Sequence, residues 1–442
     1  MSQDRTTLKL PLLGLAGASI EWYDFLLYGT AAALVFPTEF FPASMPPLVA
    51  LMASFSTFAV GFIARPFGGV LFGHLGDKLG RKGTFVAALA LMGLATTAIA
   101  FLPTYRSVGA VAPAALVLLR LLQGLAVGGQ WGGATLLATE SAPHDRRGFF
   151  GSFAQAGVFV GVLLANIAIL AASGLTTQQD FMSYGWRIPF VLSVLLVGLA
   201  WFVHARAEET VAWRELQQGA ARPAAPAAAA APSAPATRQR SPVLVALRTH
   251  PGRILLAAGI MLPLHANFYV VVTYAIAYGT STSGLGLPRG ALLGCLLIAM
   301  ALATPTSLAA GAWSDRHGRV RTIMLGIVLM GLSGLAFFPL LETRSLPLVA
   351  LALTLSACAN AIAYGPLGTM FAELFETRMR YSGMSLAYQL GAIVGGGFVP
   401  IIATALYARF HTNLWTGSYI ALAATIALLC IWRLRHAALA AR

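Results

Sequence analysis

Twelve stretches of roughly 20 or more mostly apolar residues, each long enough to cross a bilayer as a helix, dominate this chain. Their limits fall near 10–36, 47–73, 84–103, 109–134, 148–173, 184–204, 252–279, 289–312, 322–341, 347–372, 382–408 and 413–434. The runs are continuous rather than alternating, which excludes an outer-membrane β-barrel. Composition points the same way: of the 442 residues only 10% are charged, against about 25% in a soluble globular protein. A soluble fold of this length could not cover its surface with so few charges. The chain is therefore read as an all-α polytopic membrane protein with twelve transmembrane helices, and a soluble enzyme, a disordered protein and a disulfide scaffold are excluded. Cys295, Cys358 and Cys430 all lie inside apolar runs and match no metal-site spacing, so they are read as small hydrophobes. The polar N-terminus is followed by a run that carries Glu21 and Asp24 and no cleavage site, so it is read as a retained first helix.

The formal net charge of +14 would point to nucleic acid in a soluble protein. In a membrane chain it sets orientation instead. With both termini cytoplasmic, the inner loops and tails hold 22 Lys and Arg and the outer loops hold four, Arg106, Arg289, Arg344 and Arg409. That asymmetry is the positive-inside pattern. A polar stretch over 205–250, nearly all Ala and Pro between Ala220 and Ala236, divides the chain into a 1–204 bundle and a 251–442 bundle of six helices each. Its composition cannot bury a core and reads as a cytoplasmic linker.

The two bundles repeat. Gly73-His-Leu-Gly-Asp77-Lys-Leu-Gly-Arg81 follows the second run, and Gly311-Ala-Trp-Ser-Asp315-Arg-His-Gly-Arg319 follows the eighth. After the fourth run Glu140 precedes Arg147 by seven residues; after the tenth, Glu373 precedes Arg380 by the same interval. Two motif pairs at nearly one offset imply duplicated six-helix units, a plan that places a solute cavity at the membrane midplane between pseudo-symmetric halves.

Ionisable groups within a span are costly and mark functional sites by default. Glu21 and Asp24 stand eleven and fourteen residues past Leu10, roughly 16–21 Å deep. With Tyr28 they occupy spacings i, i+3 and i+7 on one helix face. Arg65 and Arg120 lie at comparable depth. Two readings stay open: a cavity in which an arginine binds an anion and a carboxyl carries a proton, or a static salt bridge such as Asp24 with Arg65. Gln123 and Gln130 in the fourth run, and Asn267, Tyr274, Asn360, Tyr364, Tyr388 and Gln389 in the second half, are further candidates for cavity lining; each also suits an ordinary interhelical hydrogen bond. His265 is a candidate proton carrier because its ordinary pKa lies near physiological pH. Glycines recurring every four residues, at 124, 128 and 132 and at 157 and 161, fit close helix packing and identify no substrate.

The Gly-x-x-x-Asp-(Arg/Lys)-x-Gly-Arg-(Lys/Arg) loop with its degenerate second copy resembles the major facilitator superfamily. A narrower likeness is carried by Ile20-Glu-Trp-Tyr-Asp-Phe-Leu-Leu-Tyr-Gly29, by Phe62-Ile-Ala-Arg-Pro-Phe-Gly-Gly69, by Arg120-Leu-Leu-Gln-Gly-Leu-Ala-Val-Gly-Gly-Gln-Trp-Gly-Gly-Ala134 and by Gly185-Trp-Arg-Ile-Pro-Phe190. Together these are similar to the metabolite:proton symporter family. Arg380-Tyr-Ser-Gly383, Tyr388-Gln389 and Gly395-Gly-Gly-Phe398 look closest to its shikimate-type branch. Where that family usually has Glu in the fourth span, this chain has Gln130, so any proton role of that acid must lie elsewhere.

The resemblance implies a major facilitator fold and a proton-coupled symporter that imports a small anionic metabolite, a monomer in the cell inner membrane that uses no cofactor beyond the coupling proton. It implies a cytoplasmic gate formed by Gly73, Asp77, Arg81, Glu140, Arg147, Asp315, Arg319, Glu373 and Arg380, paired within and between the halves. A symporter of a zwitterionic osmolyte such as betaine is the rival; the chain stops at Arg442, soon after the twelfth run, where osmosensing relatives often continue into a coiled coil. A non-transporting membrane sensor would need a folded signalling domain, which neither the tails nor the linker supplies. No nucleophile or metal constellation of a membrane enzyme is present in the sequence.

Overall fold

The computed structural model describes residues 9–79, 81–128, 131, 135, 139, 142–206, 248–375 and 380–440. Twelve long helical segments follow the apolar runs. They are α1 (Lys9–Leu34), α2 (Pro47–Leu79), α3 (Arg81–Ile99), α4 (Val111–Val127, with Trp131, Thr135 and Thr139 also helical), α5 (Arg147–Leu175) and α6 (Ile188–Arg206). The second half holds α7 (Pro251–Thr280), α8 (Arg289–His317), α9 (Arg319–Glu342), α10 (Leu346–Leu374), α11 (Ser382–Phe410) and α12 (Leu414–Ala440). Among the described residues eight of these are long and apolar enough on their own to cross a membrane, while α3, α4 and α6 contribute shorter apolar helices. Most of the 205–250 linker, residues 207–247, lies outside the described residues.

Inside the first half, α1 packs on α5 and α2 on α4. Both contacts depend on absent side chains. A Cβ at Gly157 would stand 2.7 Å from the Leu15 carbonyl oxygen, and one at Gly161 would stand 2.6 Å from Trp22 Cβ. At Gly68 the place of a Cβ is taken by the Leu125 carbonyl, so the α2 and α4 backbones touch directly. In the second half α8 and α9 pack on α10, and α7 packs on α11 and α12. The halves meet mainly along α5 with α8 and α2 with α11.

Two helices of the second half are interrupted. α7 widens into a π-turn over Val270–Tyr274, and α11 does so over Ile393–Gly397. A π-turn removes regular i→i+4 pairing and is a common mark of functional segments. The α11 π-turn packs against α7 and against α2 of the other half. Its Gly396 and Gly397 leave room for the rings of Phe62 and Tyr269, which would lie about 3 Å from any Cβ there.

Candidate functional site

The deepest charges sit on the first half's inner face. Glu21, Asp24, Tyr28, Arg65 and Arg120 are all buried. Among the described residues no ion pair within 4.0 Å joins either acid to either arginine, so the static Asp24–Arg65 bridge left open by the sequence is not what this conformation holds. The arginines instead share an aromatic partner. The Arg65 guanidinium carbon is 4.2 Å from the Phe25 ring centroid and 4.4 Å from that of Phe62. Arg120 is 4.0 Å from Phe25, 4.2 Å from Tyr28 and 4.6 Å from Phe58. A desolvated cation–π contact contributes about 2 kcal/mol, which offsets part of the penalty for a buried arginine.

The hydrogen bonds of these arginines are largely open. Arg65 Nε, Nη1 and Nη2 have no partner, nor do Arg120 Nε and Nη2. Arg120 Nη1 donates to Gln123 Oε1 at 3.0 Å, and Gln123 Nε2 donates to Thr96 Oγ1 at 2.8 Å. Tyr28 turns its hydroxyl to Thr57 at 2.7 Å and offers its ring to Arg120. Asp24 Oδ1 is buried and unpartnered.

The second half contributes an aromatic and amide wall. A small void of about 10 Å³ lies between the halves, lined by Trp22 and Phe159 on one side and His265, Phe268, Asn360, Tyr364 and Tyr388 on the other. That is the space of about one water molecule, so the two halves are packed closely together at this level. His265 Nδ1 lies 3.2 Å from the Met261 carbonyl, and its Nε2 is buried without a partner. The Tyr364 and Tyr388 hydroxyls are 3.0 Å apart. Trp131 stacks on Tyr388 across the halves, with centroids 4.0 Å apart and planes at 19°. Gln389 Nε2 donates to the Gly128 carbonyl at 3.4 Å, another contact between halves.

Two of the sequence-derived candidates fall outside this cluster. Tyr274 lies nine residues beyond His265 and hydrogen-bonds Asn413 at 2.7 Å, near Tyr278 and Phe338. Nine residues of helix carry a side chain about 13 Å along the axis, away from the centre. Asn267 donates to the Ser356 carbonyl at 3.0 Å and does not line the void. It acts with Asn360, whose Nδ2 donates to the Leu264 carbonyl at 2.7 Å, as a tie between α7 and α10. Gln130 lies outside the described residues. Phe25, Phe58, Phe62, Thr96 and Trp131 were not singled out from sequence. For Phe25 the signal was present: it stands four residues past Glu21 and three before Tyr28, on their shared face.

The gate candidates divide similarly. Gly73 and Asp77 lie in α2 and Arg81 opens α3, but their side chains, and all of Glu140, lie outside the described residues. In the second half Arg319 pairs with Asp315 at 2.7 Å and with Glu373 at 3.3 Å. Asp315 then crosses to the other half. Its Oδ1 accepts from the Gly148 N–H at 2.8 Å and its Oδ2 from the Phe149 N–H at 2.9 Å, which caps the start of α5. Thr369 of α10 donates to the Arg147 carbonyl at 3.1 Å, and Arg380 Nε to the Phe375 carbonyl at 3.4 Å. Among the described residues, the halves are joined at this end by the Asp315 carboxylate on two backbone donors and by the Thr369 hydroxyl on a backbone acceptor, while the ion pairs of Arg319 with Asp315 and Glu373 lie within the second half. At the opposite end Arg289 at the start of α8 sits 4.4 Å from the Phe181 ring of the first half. At the same end Glu39 lies near Arg106 and Arg187; burial raises its carboxyl pKa, while the two arginines oppose that shift.

Residues 12–435 match the family model described as "Sugar (and other) transporter". The chain is 41% identical over 400 residues to the shikimate transporter of Escherichia coli strain K12, covering 90% of this chain and 87% of that one. It is 37% identical to the inner membrane metabolite transport protein YhjE of the same strain, covering 98% and 95%. It is 29% identical to the glycine betaine/proline/ectoine/pipecolic acid transporter OusA of Dickeya dadantii, covering 93% and 80%. In fold it is similar to the major facilitator superfamily proton:xylose symporter XylE bound to 6-bromo-6-deoxy-D-glucose, with a TM-score of 0.71, 18% identity and coverage of 97% and 95%. The duplicated six-helix halves, the buried cluster between them and these matches lead to one assignment: the chain belongs to the sugar (and other) transporter family and is a membrane transporter with the major facilitator fold.

Proposed function

We propose that the protein is a proton-coupled symporter of the inner membrane that imports a small organic acid by alternating access of its two halves. The observation that carries this reading is the set of unused arginine donors. Five buried guanidinium nitrogens on Arg65 and Arg120 make no hydrogen bond. Buried donors are normally satisfied, and a planar guanidinium fork matches a carboxylate with two parallel hydrogen bonds. A carboxylate entering between the halves supplies what these groups lack. Asp24 is the candidate proton carrier, with Glu21 beside it on α1: its carboxyl is buried in the same cluster and neither arginine holds it. His265 offers a third titratable group across the void. The similarity to a shikimate transporter supports a carboxylate as cargo.

The test is uptake into proteoliposomes. A panel of labelled organic acids that includes shikimate should accumulate when the outside is acidic, and a protonophore should abolish the accumulation. Arg120→Lys keeps the charge and loses the fork, so it should raise KM for the acid by about tenfold or more. Uptake that ignores the pH gradient, or an acid no better than its methyl ester, rejects the reading. The five aromatic rings lining the void favour a second one, a zwitterionic osmolyte whose quaternary amine would rest on those rings. Betaine outcompeting every acid would establish it.

A further inference from the structure

We infer that Thr96 is a positioning residue that, through Gln123, fixes Arg120 so that its Nε–Nη2 edge is the one presented to a substrate carboxylate. This rests on the organic-acid reading above and adds the geometry of anion capture. Thr96 lies on α3 and its side chain is spent on Met92 and Gln123, so it acts on Arg120 through Gln123. Its hydroxyl has one proton, which it donates to the Met92 carbonyl at 2.8 Å. Toward Gln123 it can therefore only accept, and Gln123 Nε2 lies 2.8 Å away. That contact settles the orientation of the amide. With its nitrogen on Thr96, its oxygen faces Arg120 Nη1 at 3.0 Å. The flipped amide would set a donor against a donor.

All three side chains are fully buried, so water does not compete for these bonds. Gln123 occupies one nitrogen of the guanidinium and leaves the other two. Nε and Nη2 are the unpartnered pair, and they form the edge that meets both oxygens of a carboxylate. α2 is cut back to admit this pose: a Cβ at Gly61 would stand 2.6 Å from Arg120 Nε and 3.1 Å from Cδ. The guanidinium is thus held on its faces by Phe25, Tyr28 and Phe58 and on one nitrogen by the Thr96–Gln123 chain, with a single edge free.

The experiment compares Thr96→Val, Thr96→Ser and Gln123→Met in proteoliposomes, reading KM and kcat for the acid and the inhibition ratio of the acid to its methyl ester. Loss of one buried hydrogen-bond acceptor should raise KM about tenfold in Thr96→Val and narrow the acid-over-ester preference, with kcat little changed. Thr96→Ser, which keeps the hydroxyl, should restore both. Because the two residues act as one chain, Thr96→Val with Gln123→Met should be no worse than the weaker single variant. Wild-type KM and acid preference in Thr96→Val, failure of serine to rescue, or additive effects in the double variant would each overturn the clamp. A wild type that does not prefer the acid to the ester sinks the function reading instead, so the two failures are told apart.

Discussion

Asp315→Asn isolates one contact that joins the halves at the end bearing the arginine-rich loops. The carboxylate accepts two backbone N–H bonds, of 2.8 and 2.9 Å, from the first turn of α5. Hydrogen bonds to a charged group contribute about 1.5–3 kcal/mol each, and a charge at a helix N-terminus adds about 0.3–1 kcal/mol. Asparagine keeps one oxygen and therefore one bond; its amide nitrogen faces the other donor, and the charge is gone. The closed arrangement should lose about 2 kcal/mol, a roughly thirtyfold shift toward the state open at that end. Arg319 keeps Glu373 at 3.3 Å, so the second half stays internally paired. The shift is readable at Ser152, fully buried against Gly311 of α8 in this conformation. In a background lacking the three native cysteines, Ser152→Cys should react with a membrane-impermeant maleimide some tens of times faster when Asp315 is Asn, provided the reagent is added from the arginine-rich side. An unchanged labelling rate would show that the two N–H bonds do not hold the halves together, and the argument would fail.

Two other outcomes are expected. Asp24→Asn should abolish accumulation driven by a pH gradient while leaving substrate exchange across the membrane; accumulation at the wild-type level would remove Asp24 as the proton carrier. Gly68→Ala should destabilise the first half by about 1–3 kcal/mol, because its Cβ would occupy the place of the Leu125 carbonyl; a drop in the melting temperature of the purified protein checks this, and an unchanged one contradicts the backbone contact between α2 and α4.

The twelve spans were legible because a membrane demands long apolar runs and punishes anything else. Position along a span was legible too, since helical rise converts residue number into depth. That arithmetic brought Glu21, Asp24, Arg65 and Arg120 into one layer. What rings do there was not. Electrostatic intuition gives a buried arginine an acid, whereas Arg65 and Arg120 rest on Phe25, and nothing in spacing alone decides between an acid at position 24 and a ring at position 25. The π-turns over Val270–Tyr274 and Ile393–Gly397, which pack where α7 meets α11, were equally hidden from residue spacing. For Tyr274, on the first of them, polarity and span leave cavity lining and an interhelical hydrogen bond equally open, and the structure seats it on Asn413. The gate motifs announced charges at fixed intervals, but not that Asp315 would reach the backbone of the other half.

That last feature has an asymmetric consequence for how the transporter tolerates sequence change. The acceptor is one side chain, so a single codon removes it. The donors are peptide N–H groups of Gly148 and Phe149, which almost any residue at those positions would still supply. Proline alone deletes the donor outright, and at position 148 any residue larger than glycine meets Ser314 Oγ and the Gly311 carbonyl at 2.5 and 2.6 Å. The first half thus holds its side of the contact in the main chain, sheltered from most mutation at Phe149, while the strength of the contact is left adjustable from the second half at Asp315.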